Sequence, residues 1–129
     1  MKPDERDAEL IGYILEDIDT LQKRVKHFKV TEESFCIDRT FEGELAFDAV
    51  MNPLYRIAED TIHLSENVEK GCPDIPWRNI RGFRNFVAHG YHEIDRAIAW
   101  KVIVDDIPKL ADSLKNYLVG LSNAESCKN

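Results

Sequence analysis

Four residues whose types could do chemistry, Arg84, Asn85, His89 and Tyr91, fall within the short run Arg84-Asn85-Phe86-Val87-Ala88-His89-Gly90-Tyr91. An arginine, an amide and an imidazole near one another suit a phosphodiester. The guanidinium grips phosphate with a planar fork and neutralises the charge that builds in the transition state. The imidazole titrates near neutral pH, so it can take a proton from an RNA 2′-hydroxyl or return one to the leaving oxygen. No carboxylate cluster accompanies them in the sequence, which argues against a two-metal nuclease, and no metal or cofactor is expected. His89 and His92 would supply two of the four ligands zinc takes, and Gly90 breaks the helical spacing between them.

Upstream, Arg78, Arg81 and Arg84 stand three apart, so on a helix they form one guanidinium ridge that could lie along RNA. The same ridge could equally be a solvated face or a set of ion pairs. Asn85 and His89 stand four apart and share a face. Arg84 and His89 are about 140° apart on an ideal helix and do not meet by spacing alone. They converge only if the helix loosens near Gly90, or if a second copy of the chain completes the site. Taken singly, a histidine near a helix end is also a favourable partner for the helix dipole.

This run lies in the one basic part of an acidic chain. Residues 1–69 carry 17 acids and 8 bases, residues 70–101 carry 3 and 6, and the whole chain has a net charge of −7. Such a sum argues against a generic nucleic-acid binder and directs attention to the basic block. The 129 residues fit a single domain, residues 1–129, and a chain of this size buries about 68% of its unfolded surface without needing disulfides. Cys36, Cys72 and Cys127, odd in number and scattered, read as reduced thiols of a cytoplasmic protein. Charges interrupt every apolar stretch, so no membrane span is expected, and the start Met1-Lys2-Pro3-Asp4-Glu5 does not read as a signal peptide.

The elements that must position the block read as helices throughout. Leu10, Ile11, Ile14, Leu15, Ile18, Leu21, Val25 and Phe28 recur at three- and four-residue steps, predicting a helix over 4–27. Thr31 starts a short helical turn, with Glu32 and Glu33 in its first turn. A second long helix is expected over 41–70, kinked or split by Pro53. Gly71-Cys72-Pro73-Asp74-Ile75-Pro76 breaks the chain, and a third helix should run over 77–89, with Pro76 at its start and Gly90 as its stop. Phe83, Phe86 and Val87 would face the core, while Trp77 and Trp100 read as core or dimer-contact aromatics and His27 and His63 as surface histidines. Asp95 should cap a last helix carrying Ile98, Val102, Ile107, Leu110, Leu114 and Leu118, bent near Pro108. The expected fold is all-α, an up-and-down bundle of four to five helices.

The block also resembles a known family. Arg84-Asn85-Phe86-Val87-Ala88-His89-Gly90-Tyr91 is similar to the R-x4-H-x-Y signature of HEPN-domain proteins of the HepT-like toxin family. Ile75-Pro76-Trp77, with Ile80 and Gly82 before Arg84, resembles the family's approach to that signature. Asp95, Trp100 and Asp106-Ile107-Pro108 resemble its last helix. One departure is Arg56-Ile57-Ala58-Glu59-Asp60, where relatives often carry isoleucine-glycine-glutamate-alanine; Asp60 fills a usually small position.

The resemblance implies an HEPN-like homodimer with Arg84 and His89 of both copies lining one cleft, and metal-independent RNA cleavage that is toxic to the host cell. From the spacing above, Asn85 is expected as a supporting residue and Arg78 and Arg81 as RNA contacts. The resemblance also implies a partner, an MntA-type nucleotidyltransferase antitoxin that transfers AMP to the motif tyrosine, here Tyr91. The alternative of another class is a non-catalytic helical adaptor that binds a nucleotidyltransferase or a nucleotide.

Overall fold

The computed structural model describes residues 2–85 and 94–128, and every regular element among them is helical. Helix α1 (Pro3–His27) opens on a proline and carries Asp4 and Glu5 in its first turn and Arg24, Lys26 and His27 in its last, each sign matching the helix dipole. Its apolar row Leu10, Ile11, Ile14, Ile18 and Leu21 is buried. Helix α2 (Glu32–Ile37) begins with a reciprocal cap: Ser34 N–H donates to Thr31 Oγ1 at 3.1 Å and Thr31 N–H to Ser34 Oγ at 3.0 Å.

Helix α3 (Phe41–Ile62) starts at Thr40, whose hydroxyl accepts from Gly43 N–H. Only glycine fits at 43, because a Cβ there would lie 2.7 Å from the Asp38 carbonyl oxygen. The row Phe47, Val50, Met51, Leu54, Ile57 and Ala58 is buried, and α1 lies along it as the main packing of the molecule. Each such aliphatic side chain removed from water contributes about 1.5–3 kcal/mol.

Of the two outcomes expected at Pro53, a kink or a split, the split does not occur. Pro53 sits inside unbroken α3 and is buried. A proline leaves the carbonyl four residues back without its helical donor. Here that carbonyl is Ala49, and Arg24 of α1 supplies the missing bond, its Nη1 donating at 2.9 Å. The helix stops instead at Ile62, and the separate short helix α4 (Glu66–Gly71) follows. The start of α4 is held from outside: Asp7 of α1, 2% exposed, accepts from both Ser65 N–H, at 2.9 Å, and the Ser65 hydroxyl.

The third helix is α-helical only over its first part, and residues 86–89 of the expected span lie outside the described residues. Helix α5 (Trp77–Arg81) gives way at Gly82 to a 3-10 turn, Gly82–Asn85. Glycine has low helix propensity, and a tighter turn keeps residues three apart in line. Phe83 is buried as expected, whereas Phe86 and Val87 lie outside the described residues.

Asp95 caps α6 (Arg96–Lys101), accepting from Ala97 and Ile98 N–H. A wider turn of π type, Val102–Asp106, leads into α7 (Ile107–Lys128). Pro108 cannot donate to Val104 and its ring crowds that carbonyl, which accounts for the wider turn just before it. Ile107, Leu110 and Leu114 are buried, and α7 packs on α1. The all-α expectation thus holds. The frame is three long rods, α1, α3 and α6–α7, with short helices filling between them. Cys36 and Cys72 are free thiols, and no helix among the described residues is long and apolar enough to cross a membrane.

Candidate active site

The basic block is pinned to the core from one side. Ile75, Ile80 and Phe83 are buried, and Trp77 Nε1 donates to the Cys72 carbonyl at 3.1 Å. The core-facing positions leave Arg78, Asn79 and Arg84 exposed on the opposite side.

The three arginines expected on one ridge are placed differently. Arg81 is half-buried and committed to the protein. Its Nη1 pairs with Glu69 of α4, its Nη2 donates to the Thr61 carbonyl at 2.8 Å, and its guanidinium lies 5.2 Å from the centre of the Trp77 ring. It therefore ties α5 to α4 and to the end of α3. Arg78 is exposed beside a cleft of about 670 Å³ lined also by Asn79, Phe83, Ile98, Lys101 and Asp106. Burial pushes the Asp106 carboxyl above the usual range, and the nearby Lys109 ammonium opposes that shift.

Arg84 is half-exposed in the 3-10 turn. Its Nε lies 3.7 Å from Glu59 Oε2. The other oxygen of the same carboxylate, Oε1, is 3.3 Å from His63 Nε2. Glu59 lies in the last turn of α3 and His63, four residues on, caps its C-terminal end. Next to them Asp60 is partly buried, and burial, reinforced by the charge of Asp17, raises its carboxyl above the ordinary value. Asn85 ends the turn, while His89 and Tyr91 lie outside the described residues.

Beyond residues 86–93, the start of α6 is held against the bundle. Arg96, only 10% exposed at its side chain, pairs with Glu44 at 2.8 Å and sits 3.6 Å over the Phe47 ring. This cation–π contact and ion pair fix the start of α6 against α3. Phe83 and Asp95, which flank residues 86–93, both line the cleft. No group of three or more His, Cys, Asp or Glu among the described residues is placed to hold a metal ion.

The sequence reading missed Glu59 and Lys101 and treated His63 as a surface histidine. His63 is indeed half-exposed, but it shares a carboxylate with Arg84. No spacing rule links Glu59 to Arg84, since they sit on different elements. The Glu59–His63 pairing four apart was the one signal available, and it says nothing of Arg84.

A family model described as Ribonuclease HepT-like matches residues 14–117 of the chain. The chain is 29% identical over 98 residues to the Probable ribonuclease HepT of Thermococcus cleftensis, covering 74% of this chain and 84% of that protein. It is 27% identical over 108 residues to a protein of Caldanaerobacter subterraneus subsp. tengcongensis, covering 84% and 90%. It is 32% identical over 62 residues to one of Methanocaldococcus jannaschii, covering 48% of this chain and 57% of that protein. The names of the last two designate them RNases provisionally. No solved structure matches the chain.

Proposed function

Because the chain belongs to the Ribonuclease HepT-like family, we propose that it is a metal-independent endoribonuclease and the toxin of a HEPN/nucleotidyltransferase pair. The observation that carries this reading is Arg84, half-exposed and held against Glu59 through its Nε edge, with the family motif running on from it to His89 and Tyr91. A guanidinium held by one edge keeps its terminal N–H groups available for a forked grip on phosphate.

In this mechanism His89 takes the proton of the 2′-hydroxyl, and the freed oxygen attacks the adjacent phosphorus. The bond to the 5′-oxygen breaks, and His89 returns the proton to that oxygen as it leaves. The products are a 2′,3′-cyclic phosphate and a 5′-hydroxyl. Arg84 neutralises the charge that grows on the phosphoryl oxygens, a contribution largest in the transition state. Asn85 orients one of the two. Arg78 extends the contact along the strand, and Arg81 braces the helix that presents them. A homodimer brings two copies of the motif to one cleft, and AMP added to Tyr91 would place bulk and negative charge at its mouth.

The test is cleavage of RNA by purified full-length chain and its variants. His89→Ala should lose about 10²–10⁴ in rate with little loss of RNA binding. Arg84→Lys should not restore the activity lost in Arg84→Ala, because an ammonium cannot make the fork. Folded His89→Ala protein that cleaves at the parent rate would overturn the reading.

A further inference from the structure

Resting on the reading that Arg84 grips the scissile phosphate, we propose that Glu59 is a positioning residue that aims the Arg84 guanidinium through its Nε edge. A guanidinium carries one N–H on Nε and four on its terminal nitrogens. Glu59 Oε2 faces Nε at 3.7 Å. The contact therefore restrains the side chain without occupying the end that would fork onto phosphate. The carboxylate is itself restrained. Its other oxygen meets His63 Nε2 at 3.3 Å, and the flanking Ile57 and Ala58 are fully buried against the bundle, so the backbone of α3 cannot swing. Arg84, by contrast, stands on a short 3-10 turn and is half-exposed, where a long side chain otherwise samples many rotamers.

The contact could instead act as a competitor that withholds Arg84 from RNA. The geometry favours positioning. The pair is half-exposed on both sides, 48% for Arg84 and 52% for Glu59, and such pairs are weak. A weak pair cannot outbid a forked phosphate contact, but it can bias which rotamer meets the phosphate. Small errors in the placement of a catalytic group are costly in rate.

The experiment uses the full chain with a fluorescent mixed-sequence RNA oligonucleotide for rate. Its all-deoxy counterpart serves for binding. Glu59→Gln keeps the shape and removes the charge. We expect its kcat to fall roughly two- to fivefold, the most that a weak exposed pair can bias a rotamer, while KM and the affinity for the deoxy strand change less than about 1.5-fold. His63→Ala should shift kcat in the same direction by a smaller factor. In an Arg84→Lys background, Glu59→Gln should cost little more, because the group it aims is already lost. A kcat for Glu59→Gln equal to or above that of the parent chain overturns positioning, the latter outcome identifying competition. An undiminished further loss in the Arg84→Lys background overturns it too, since Glu59 would then act independently. If Arg84→Ala itself cleaves at the parent rate, it is the phosphate-clamp reading that fails. Thermal melts of each variant separate these outcomes from unfolding.

Discussion

Removing the Arg24 side chain tests whether α3 survives Pro53 because α1 supplies the missing donor. The Ala49 carbonyl accepts from Arg24 Nη1 at 2.9 Å, in a partly buried site between two long helices. A hydrogen bond from a charged donor is worth about 1.5–3 kcal/mol, and partial burial places this one near the low end. Arg24→Met keeps the apolar stem and deletes the donor, so the expected loss is about 1.5–2 kcal/mol. For a domain of this size that is a fall in Tm of roughly 5–10 °C. The decisive arm is Pro53→Ala, which gives residue 53 an N–H that can donate to Ala49 as in any helix. In that background Arg24→Met should cost only about 0.5 kcal/mol, leaving a coupling of about 1 kcal/mol or more. Urea denaturation followed by far-UV circular dichroism gives all four stabilities. Equal costs of Arg24→Met in both backgrounds would refute the argument, because the arginine would then not be serving that carbonyl. The consequence reaches the site: α3 carries Thr61 and Glu59 to Arg81 and Arg84, and a helix loosened at Pro53 would hold neither in place.

The proposed chemistry predicts that cleavage persists in EDTA and that the products end in a 2′,3′-cyclic phosphate; loss on chelation with recovery on adding magnesium would contradict it. A substrate with a single deoxyribose at the cut site should resist. Co-expression with a nucleotidyltransferase partner should add AMP-sized mass to Tyr91, and additions that persist in Tyr91→Phe would refute that acceptor. Light scattering should show a dimer at micromolar concentration, against which a strict monomer would tell. Asp60→Asn should raise stability at neutral pH. A carboxyl whose folded pKa is raised binds more protons folded than unfolded between the two values, so its stabilising effect is present at low pH and lost as pH rises through that window. The gain from Asn should therefore vanish below the ordinary aspartate pKa of about 3.9, as thermal melts across pH would show.

Much of this molecule was legible because its signals are local. The three- and four-residue apolar rows of α1 and α3 needed only helical geometry to read, and the same rows are the buried ones. Thr31 and Asp95 cap helices because a short oxygen-bearing side chain at that point satisfies free N–H groups next to it in the chain. The resemblance to the family whose model matches residues 14–117 was likewise a matter of residue types at fixed spacing. The errors were of another kind. Pro53 read as a kink or a split, and the split is absent, since sequence shows the lost donor but not Arg24 arriving from another helix. The end of α3 at Ile62 was missed although Ser65 is an N-cap residue type that marks a new helix start, and Asp7 binding Ser65 from across the fold is a contact the sequence does not show. Arg81 looked interchangeable with Arg78 and Arg84, yet Glu69 and the Thr61 carbonyl claim it.

The sequence by itself determined the class of the fold, the beginnings of most helices and the chemistry available in the basic block. These follow from backbone hydrogen bonding and side-chain period, which act over a few residues. Only the tertiary structure decided that α3 runs through its proline, that one of three equally spaced arginines is a strut, and that Glu59 stands at the edge of Arg84. Each of those outcomes turns on a donor or acceptor supplied by a distant segment. Such a partner is chosen by packing, and packing is a property of the assembled chain rather than of any stretch of it.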